Sequence, residues 1–189
     1  MLKNILIKCA ELVNRDDILF ELKKVDSIEA ITNIGIKNDV IRLISYYNFI
    51  ISNLYEHYFI VENVEELSSD ENCQIFYSSF KYKPTNINKV LSTNNKYNLF
   101  SIQSKHITTN TPLETYKIYY NYTPDDLSEL LEETSIPHLL NNKVVCYGII
   151  SEFLASKDQF EKSEFWKNKF LYEIFKTKTK KERRLKSTF

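Results

Sequence analysis

Between Val40 and Tyr58 the apolar side chains recur at spacings of 4, 3, 4, 3 and 4, through Ile44, Tyr47, Ile51 and Leu54. At 3.6 residues per turn, a helix puts such positions on one face. Ile41, Leu43, Ile50 and Tyr55 widen the stripe. A face that broad has to be buried against several neighbours, so this segment demands a core built from more than two elements. Asn38 or Asp39 reads as its N-cap, because a short polar side chain there accepts from an orphan backbone N–H.

Helical spacing also marks the chain's beginning and end. Leu2, Ile5, Leu6, Cys9, Leu12 and Val13 place a first helix over about 2–14. Asp16 or Asp17 caps a short helix to about Lys24, and Asn33-Ile34-Gly35 reads as a turn. After Val61 the period changes. The acidic stretch Glu62 to Asn72 reads as a loop. Gln74 to Phe80, Ile87 to Leu91, Tyr97 to Ile102 and Glu114 to Tyr122 read as four short strands. In the last of these Tyr116, Ile118, Tyr120 and Tyr122 share a face. In the second, Ile87, Lys89 and Leu91 oppose Asn88 and Val90. Helical signals resume with Asp125 as the cap of a short helix through Leu131. Pro137 opens a helix through Ala155. A capping box of Asp158 and Glu161 leads into a last helix that turns Phe160, Trp166, Phe170 and Ile174 toward the body.

The expected fold is α+β, mainly α. It is a helical bundle with a small antiparallel β-sheet inserted between the N-terminal and C-terminal helices, plus an extended basic C-terminal tail. The expected division is a domain over 1–175 and a basic arm over 176–189. The domain holds helices over 2–60, a β insert over about 73–122 and helices over 125–175.

The chain has 189 residues, 43% of them hydrophobic, which suits one packed domain. No apolar run reaches the roughly 18 residues of a membrane helix. Met1 to Lys8 is too short and too interrupted for a signal peptide, so synthesis in a cytoplasm is expected. Cys9, Cys73 and Cys146 are far apart, lack metal-ligand spacing and read as buried thiols. With only two glycines, left-handed turn positions fall to asparagine.

There is no Gly-rich phosphate loop, no His-Glu-x-x-His and no Cys-x-x-Cys. His57, His106 and His138 lie in different elements, and Glu132-Glu133 point two ways. No enzyme activity, catalytic residue, cofactor or metal is expected. Charge is more telling. Lys176 to Phe189 carries seven basic residues and one acid, leaving 18 basic against 24 acidic side chains in the rest. A body near −6 thus bears a tail near +6. The tail reads three ways: a solvated disordered end, a phosphate clamp for nucleic acid, or a segment that orders on a partner protein. Leu185 and Phe189 lean toward the third, since apolar side chains anchor on protein and add little to phosphate binding.

The order of parts and several local patterns resemble the head–tail connector (adaptor, or neck) proteins of tailed bacteriophages. Ile7 to Asp17 is similar to that family's first helix with its polar break. Leu54-Tyr-Glu-His-Tyr58 resembles the end of its second helix. Tyr77-Ser-Ser-Phe80 and Ile87-Asn-Lys-Val90 resemble its strand insert, and Tyr120-Asn-Tyr-Thr-Pro124 its strand exit. Tyr147-Gly-Ile-Ile-Ser-Glu-Phe153, followed by Phe160, Trp166 and Phe170, resembles its two closing helices. Residues 24–38 match nothing in the family. The resemblance implies a virion protein at the capsid vertex, made in the cytoplasm of a bacterial host. It implies a homo-oligomeric ring, usually dodecameric, that docks under the portal protein and presents its other face to the next neck or tail protein. Double-stranded DNA would pass through the lumen without sequence-specific binding, and no membrane is involved. The portal interface would be the arm: Lys176, Lys178, Lys180, Lys181, Arg183, Arg184, Leu185, Lys186 and Phe189. A nucleic-acid-binding protein, or another neck component such as a stopper or tail-completion protein, is the alternative.

Overall fold

The computed structural model describes residues 1–137 and 140–186, with side chains through 179. The chain divides into two compact units. One joins Met1–Asn53 to Asp126–Phe189, and the other is Leu54–Asp125. The architecture is α+β and mainly α, with five α-helices and two small antiparallel sheets among the described residues.

The first unit holds α1 (Leu2–Leu12), α2 (Asp16–Lys24), α3 (Ile34–Asn53), α4 (Asn142–Ala155) and α5 (Phe160–Lys186). Helix α4 is its centre. Val144, Val145, Cys146, Ile149, Ile150, Phe153 and Leu154 are buried around most of its circumference. An apolar helix buried on all sides is what a central position requires. Helices α1, α3 and α5 pack on it. Gly148 sets the closest approach. A Cβ there would lie 2.9 Å from Ile50 Cδ1 and 3.1 Å from Phe170 Cε2. Glycine normally weakens a helix interior, and here it lets α3 and α5 close on α4. Gly148→Val is therefore expected to lower stability by about 2 kcal/mol. Urea denaturation checks this, and unchanged stability would mean that the interface relaxes freely.

The helix boundaries move for identifiable reasons. Asn33, not Asn38 or Asp39, caps α3: its Oδ1 accepts from the Ile36 N–H at 3.2 Å. Gly35 sits in the first turn of α3 rather than in a loop. The segment from Asp125 to Leu131 is irregular, not helical. Helix α4 begins at Asn142, five residues after Pro137, because Asn141 caps it by accepting from the Val144 N–H at 3.1 Å. Asp158 caps nothing. It takes φ 56° in the left-handed region after α4, and the Gln159 carbonyl accepts the Ser163 N–H. Phe160 points to solvent, while Phe170 and Ile174 are buried as expected and Trp166 is half-buried.

The second unit opens with a turn of π-helix, Leu54–Tyr58, closed by the Phe59 N–H on the Leu54 carbonyl at 2.7 Å. Its larger sheet has the order β1-β6-β3, from strands Glu62–Ser68, Thr115–Tyr122 and Pro84–Ser92. The smaller, β2-β5-β4, uses Gln74–Phe76, His106–Thr108 and Ser101–Ile102. Ile75, Phe80, Ile87, Val90, Ile107, Tyr116, Ile118 and Tyr120 form one core between them. The stretch expected as a loop from Glu62 is thus strand β1. Its alternation is half-buried against exposed, and Asn63 and Glu65 occupy inward positions, so composition hides the strand. In β3 the register shifts between Ile87 and Lys89. That bulge brings Val90, in place of Lys89, into the core with Ile87, and Leu91 is buried too. The strand expected over Tyr97 to Ile102 shrinks to Ser101–Ile102, and Tyr97 and Leu99 are exposed. The one over Gln74 to Phe80 stops at Phe76, where a 3-10 turn follows.

Among the described residues left-handed backbone falls at Asn14, Cys73, Asn95, Leu113 and Asp158, and at neither glycine. Asparagine and aspartate take three of these positions, as glycine scarcity requires. At Cys73, Asp70 Oδ1 holds the turn by accepting the Asn72 and Gln74 N–H groups at 2.9 and 2.7 Å.

Candidate functional site

The candidate site is the exposed side of α5 and its C-terminal continuation. The basic segment from Lys176 is not an extended or disordered arm. Its backbone runs on as α5, helical through Lys186. A helix end lying beyond Ile174, the last buried side chain among the described residues, is held by local bonds. Thr177 Oγ1 donates to the Glu173 carbonyl at 2.8 Å, and Thr179 Oγ1 to the Phe175 carbonyl at 2.9 Å. Lys176 Nζ pairs with Glu173 at 3.2 Å and lies 5.6 Å from the Tyr172 ring centre.

Of the expected interface residues, Lys176 and Lys178 are thereby placed on the helix. Lys180, Lys181, Arg183, Arg184, Leu185 and Lys186 continue its backbone, but their side chains lie outside the described residues. Phe189 lies wholly outside them.

Upstream, α5 carries an aromatic cluster that sequence periodicity did not single out. Lys169 Nζ lies 4.2 Å from the Phe165 ring centre and 4.8 Å from that of Trp166. Trp166 packs on Tyr147 of α4 with centroids 5.3 Å apart. Phe165, Tyr172 and Phe175 are 54%, 64% and 57% exposed. Their positions, with Asn168, repeat at spacings of 3, 4 and 3 along the helix. The signal was in the sequence, but the buried stripe of Phe170 and Ile174 masks it.

A second feature positions this helix pair. Asp39 lies inside α3 and is only 7% exposed. Its Oδ2 accepts from Arg15 Nη2 at 2.9 Å, and its Oδ1 from Lys157 Nζ at 2.7 Å. Arg15 is itself locked by two bonds to Asp17, at 2.8 and 2.7 Å. Both cations sit near the Phe153 ring. Burial pushes the Asp39 carboxyl up, but the hydrogen bonds from Lys157 and Arg15 outweigh it and hold the group below its ordinary range. The network fixes the start of α2 and the end of α4 on α3, so it sets where α5 begins.

Elsewhere, polar groups pair within the fold. Tyr120 OH donates to Glu65 and accepts from Asn63 Nδ2, and Glu65 also accepts the Lys81 N–H. Burial and that carboxylate push the Tyr120 phenol up to about 12. Burial beside Tyr122 and Tyr82 does the same for Tyr55. Cys9 and Cys146, far apart in sequence, meet between α1 and α4. Burial and the hydrogen bond that the Cys9 S–H donates to Cys146 push the Cys9 thiol well up, which keeps it unreactive. His57 is exposed beside Glu56, His106 is half-buried against Phe76, and His138 lies outside the described residues. Among the described residues, no three His, Cys, Asp or Glu side chains converge as metal ligands would. No described helix is long and apolar enough to cross a membrane.

No protein-family model matches the chain, and neither does any curated protein.

Proposed function

We propose that this chain is a structural virion protein of a tailed bacteriophage. In this reading it is a head–tail connector whose copies form a ring, dock under the portal through the C-terminal end of α5, and extend the DNA channel toward the next neck or tail component. The observation that carries it is the charge split along a single helix. Helix α5 is anchored by Phe170 and Ile174, yet it runs on to Lys186 with seven basic residues from Lys176. A rigid basic rod on an acidic body is suited to steering onto an acidic protein surface. The same body repels phosphate, so a lumen lined by it would let DNA slide. Function then lies in interface geometry rather than in turnover.

The helical form of the basic segment also favours a second reading, because a cationic helix can follow a phosphate backbone. Salt titration separates the two. The connector reading expects rings in negative stain without DNA, and weak, sequence-independent DNA retention at physiological salt. Monomers whose DNA affinity falls steeply with salt, with a log–log slope near −5 or steeper, would replace it with the nucleic-acid reading.

A further inference from the structure

The larger sheet, β1-β6-β3, has two edges, and the chain treats them differently. An unpaired edge presents a row of backbone donors and acceptors, so natural sheets blunt it with proline, bulges or a covering segment. The β3 edge has all three. Pro84 opens the strand, and its register against β6 shifts between Pro84 and Asn86 and again between Ile87 and Lys89. Its other end is covered: the Ser92 N–H donates to the Lys96 carbonyl at 2.9 Å, and the Asn98 N–H to the Val90 carbonyl at 3.0 Å. The β1 edge has none of these. Glu62 to Ser68 contains no proline and pairs with β6 in unbroken register, from Asn121 to Thr115. Among the described residues no strand pairs with its other side. The Ser69 N–H donates to the Glu114 carbonyl at 2.9 Å, one step beyond the Ser68–Thr115 pair. Backbone groups alternate sides along an antiparallel strand. The N–H and C=O groups of Glu62, Val64, Glu66 and Ser68 therefore turn away from β6, and the side chains of the same four residues are exposed.

We propose that the β1 edge is a docking site for an extended segment of a partner protein, which adds beside β1 as a fourth strand and carries basic side chains at alternate positions. At about 3.3 Å per residue the free edge is roughly 23 Å long, and main-chain bonds along it carry the affinity. Charge selects the occupant. Glu62 and Glu66 stand on either side of Val64 on the exposed face. Glu62 Oε1 accepts from Asn88 Nδ2 at 2.7 Å, which holds that carboxylate on the face. The bases of the same face lie farther from the edge. Lys117 is on β6, across from Glu66, and Lys89 is on β3, with its Nζ 3.8 Å from the Tyr119 ring centre. A second copy of β1 is a poor occupant. Paired antiparallel about Val64, two copies would set each Glu62 against a Glu66, and like charges directly opposite destabilise a strand pair. A segment that reads basic, apolar, basic at alternate positions instead sets a cation beside each glutamate and an apolar side chain beside Val64. The site lies wholly within the second unit and does not rest on the connector reading.

The probe is a fluorescein-labelled peptide in which threonine alternates with lysine, valine and lysine, and its twin carries glutamate in place of lysine. Binding to the full chain is read by anisotropy, and hydrogen exchange with mass spectrometry locates it. The lysine peptide is expected to bind about tenfold or more tightly than its twin and to slow amide exchange across residues 62–68. Glu62→Lys combined with Glu66→Lys should invert the preference. Val64→Pro removes one outward donor, a change that an edge strand tolerates, and should weaken binding about tenfold with the melting temperature nearly unchanged. Should that variant fold poorly, the charge reversal decides alone. Equal binding of the two peptides, or a preference that the reversal leaves in place, would overturn the proposal. So would a lysine peptide that fails to bind at about 1 mM. Protection of residues 62–68 in the peptide-free chain that grows with protein concentration would make a second copy the occupant and overturn it as well.

Discussion

Replacing Asp39 by alanine is expected to destabilise the helical unit by about 3 kcal/mol and to lower its melting temperature by roughly 10 °C. The carboxylate is nearly buried and is the common partner of Arg15 and Lys157. Its removal leaves two cations facing each other over the Phe153 ring with no anion between them. The loss sits at the low end for a buried pair, because both cations keep about a third of their surface in water and stay partly screened. Lys157→Ala should cost less, since Arg15 still pairs with Asp39. A double-mutant cycle of the two should return a coupling of about 1 kcal/mol or more. The pH dependence follows from the direction of the shift. Asp39 titrates below its unfolded value of ~3.9. Its contribution is therefore present above that value and is lost as the pH falls through the lower, folded one. Denaturation curves of the wild type and Asp39→Asn should differ by a constant amount above about pH 5 and converge in acid. A gap that stayed open well below pH 3 would show that the carboxylate is not the source of the stability.

Asp39 also marks what could and could not be read from the chain. Its place before Val40 made it look like a cap, and one polar residue beside a long apolar stripe gives no sign of which cations will reach it. Those cations come from Arg15 and Lys157, 24 and 118 residues away. The stripe itself was legible. Ile44, Tyr47, Ile51 and Leu54 are all buried, because helical period alone sets that face. Strand β6 was legible for the same reason at period two: Tyr116, Ile118 and Tyr120 are fully buried, and Tyr122 is half-buried. Strand β1 was not, because its inward Asn63 and Glu65 are satisfied by Tyr120 and Lys81, whose positions only the folded sheet supplies. The bulge in β3 escaped likewise, since an extra residue leaves no compositional mark. At the candidate site, the charge of the arm was visible but its helical backbone was not. Basic runs read as solvated ends unless an upstream helix templates them.

The second large effect concerns that arm. Under the proposed connector function, deleting residues 176–189 is expected to abolish docking on the portal, with apparent affinity falling by about a hundredfold or more. Folding should survive. Among the described residues the last buried side chain is Ile174, and Lys176, Thr177 and Thr179 bond back to their own helix at Glu173 and Phe175. Melting temperature should therefore change by no more than a few degrees, as for other surface changes.

The most direct measurement is co-assembly with portal rings. Full-length and 176–189-deleted chains are mixed with purified portal at physiological salt, and the complexes are counted by negative-stain microscopy and co-sedimentation. Connector rings stacked on portal are expected for the full chain, and free connector rings beside bare portals for the shortened one. A shortened chain that still caps the portal, or a full-length chain that never does, would contradict it.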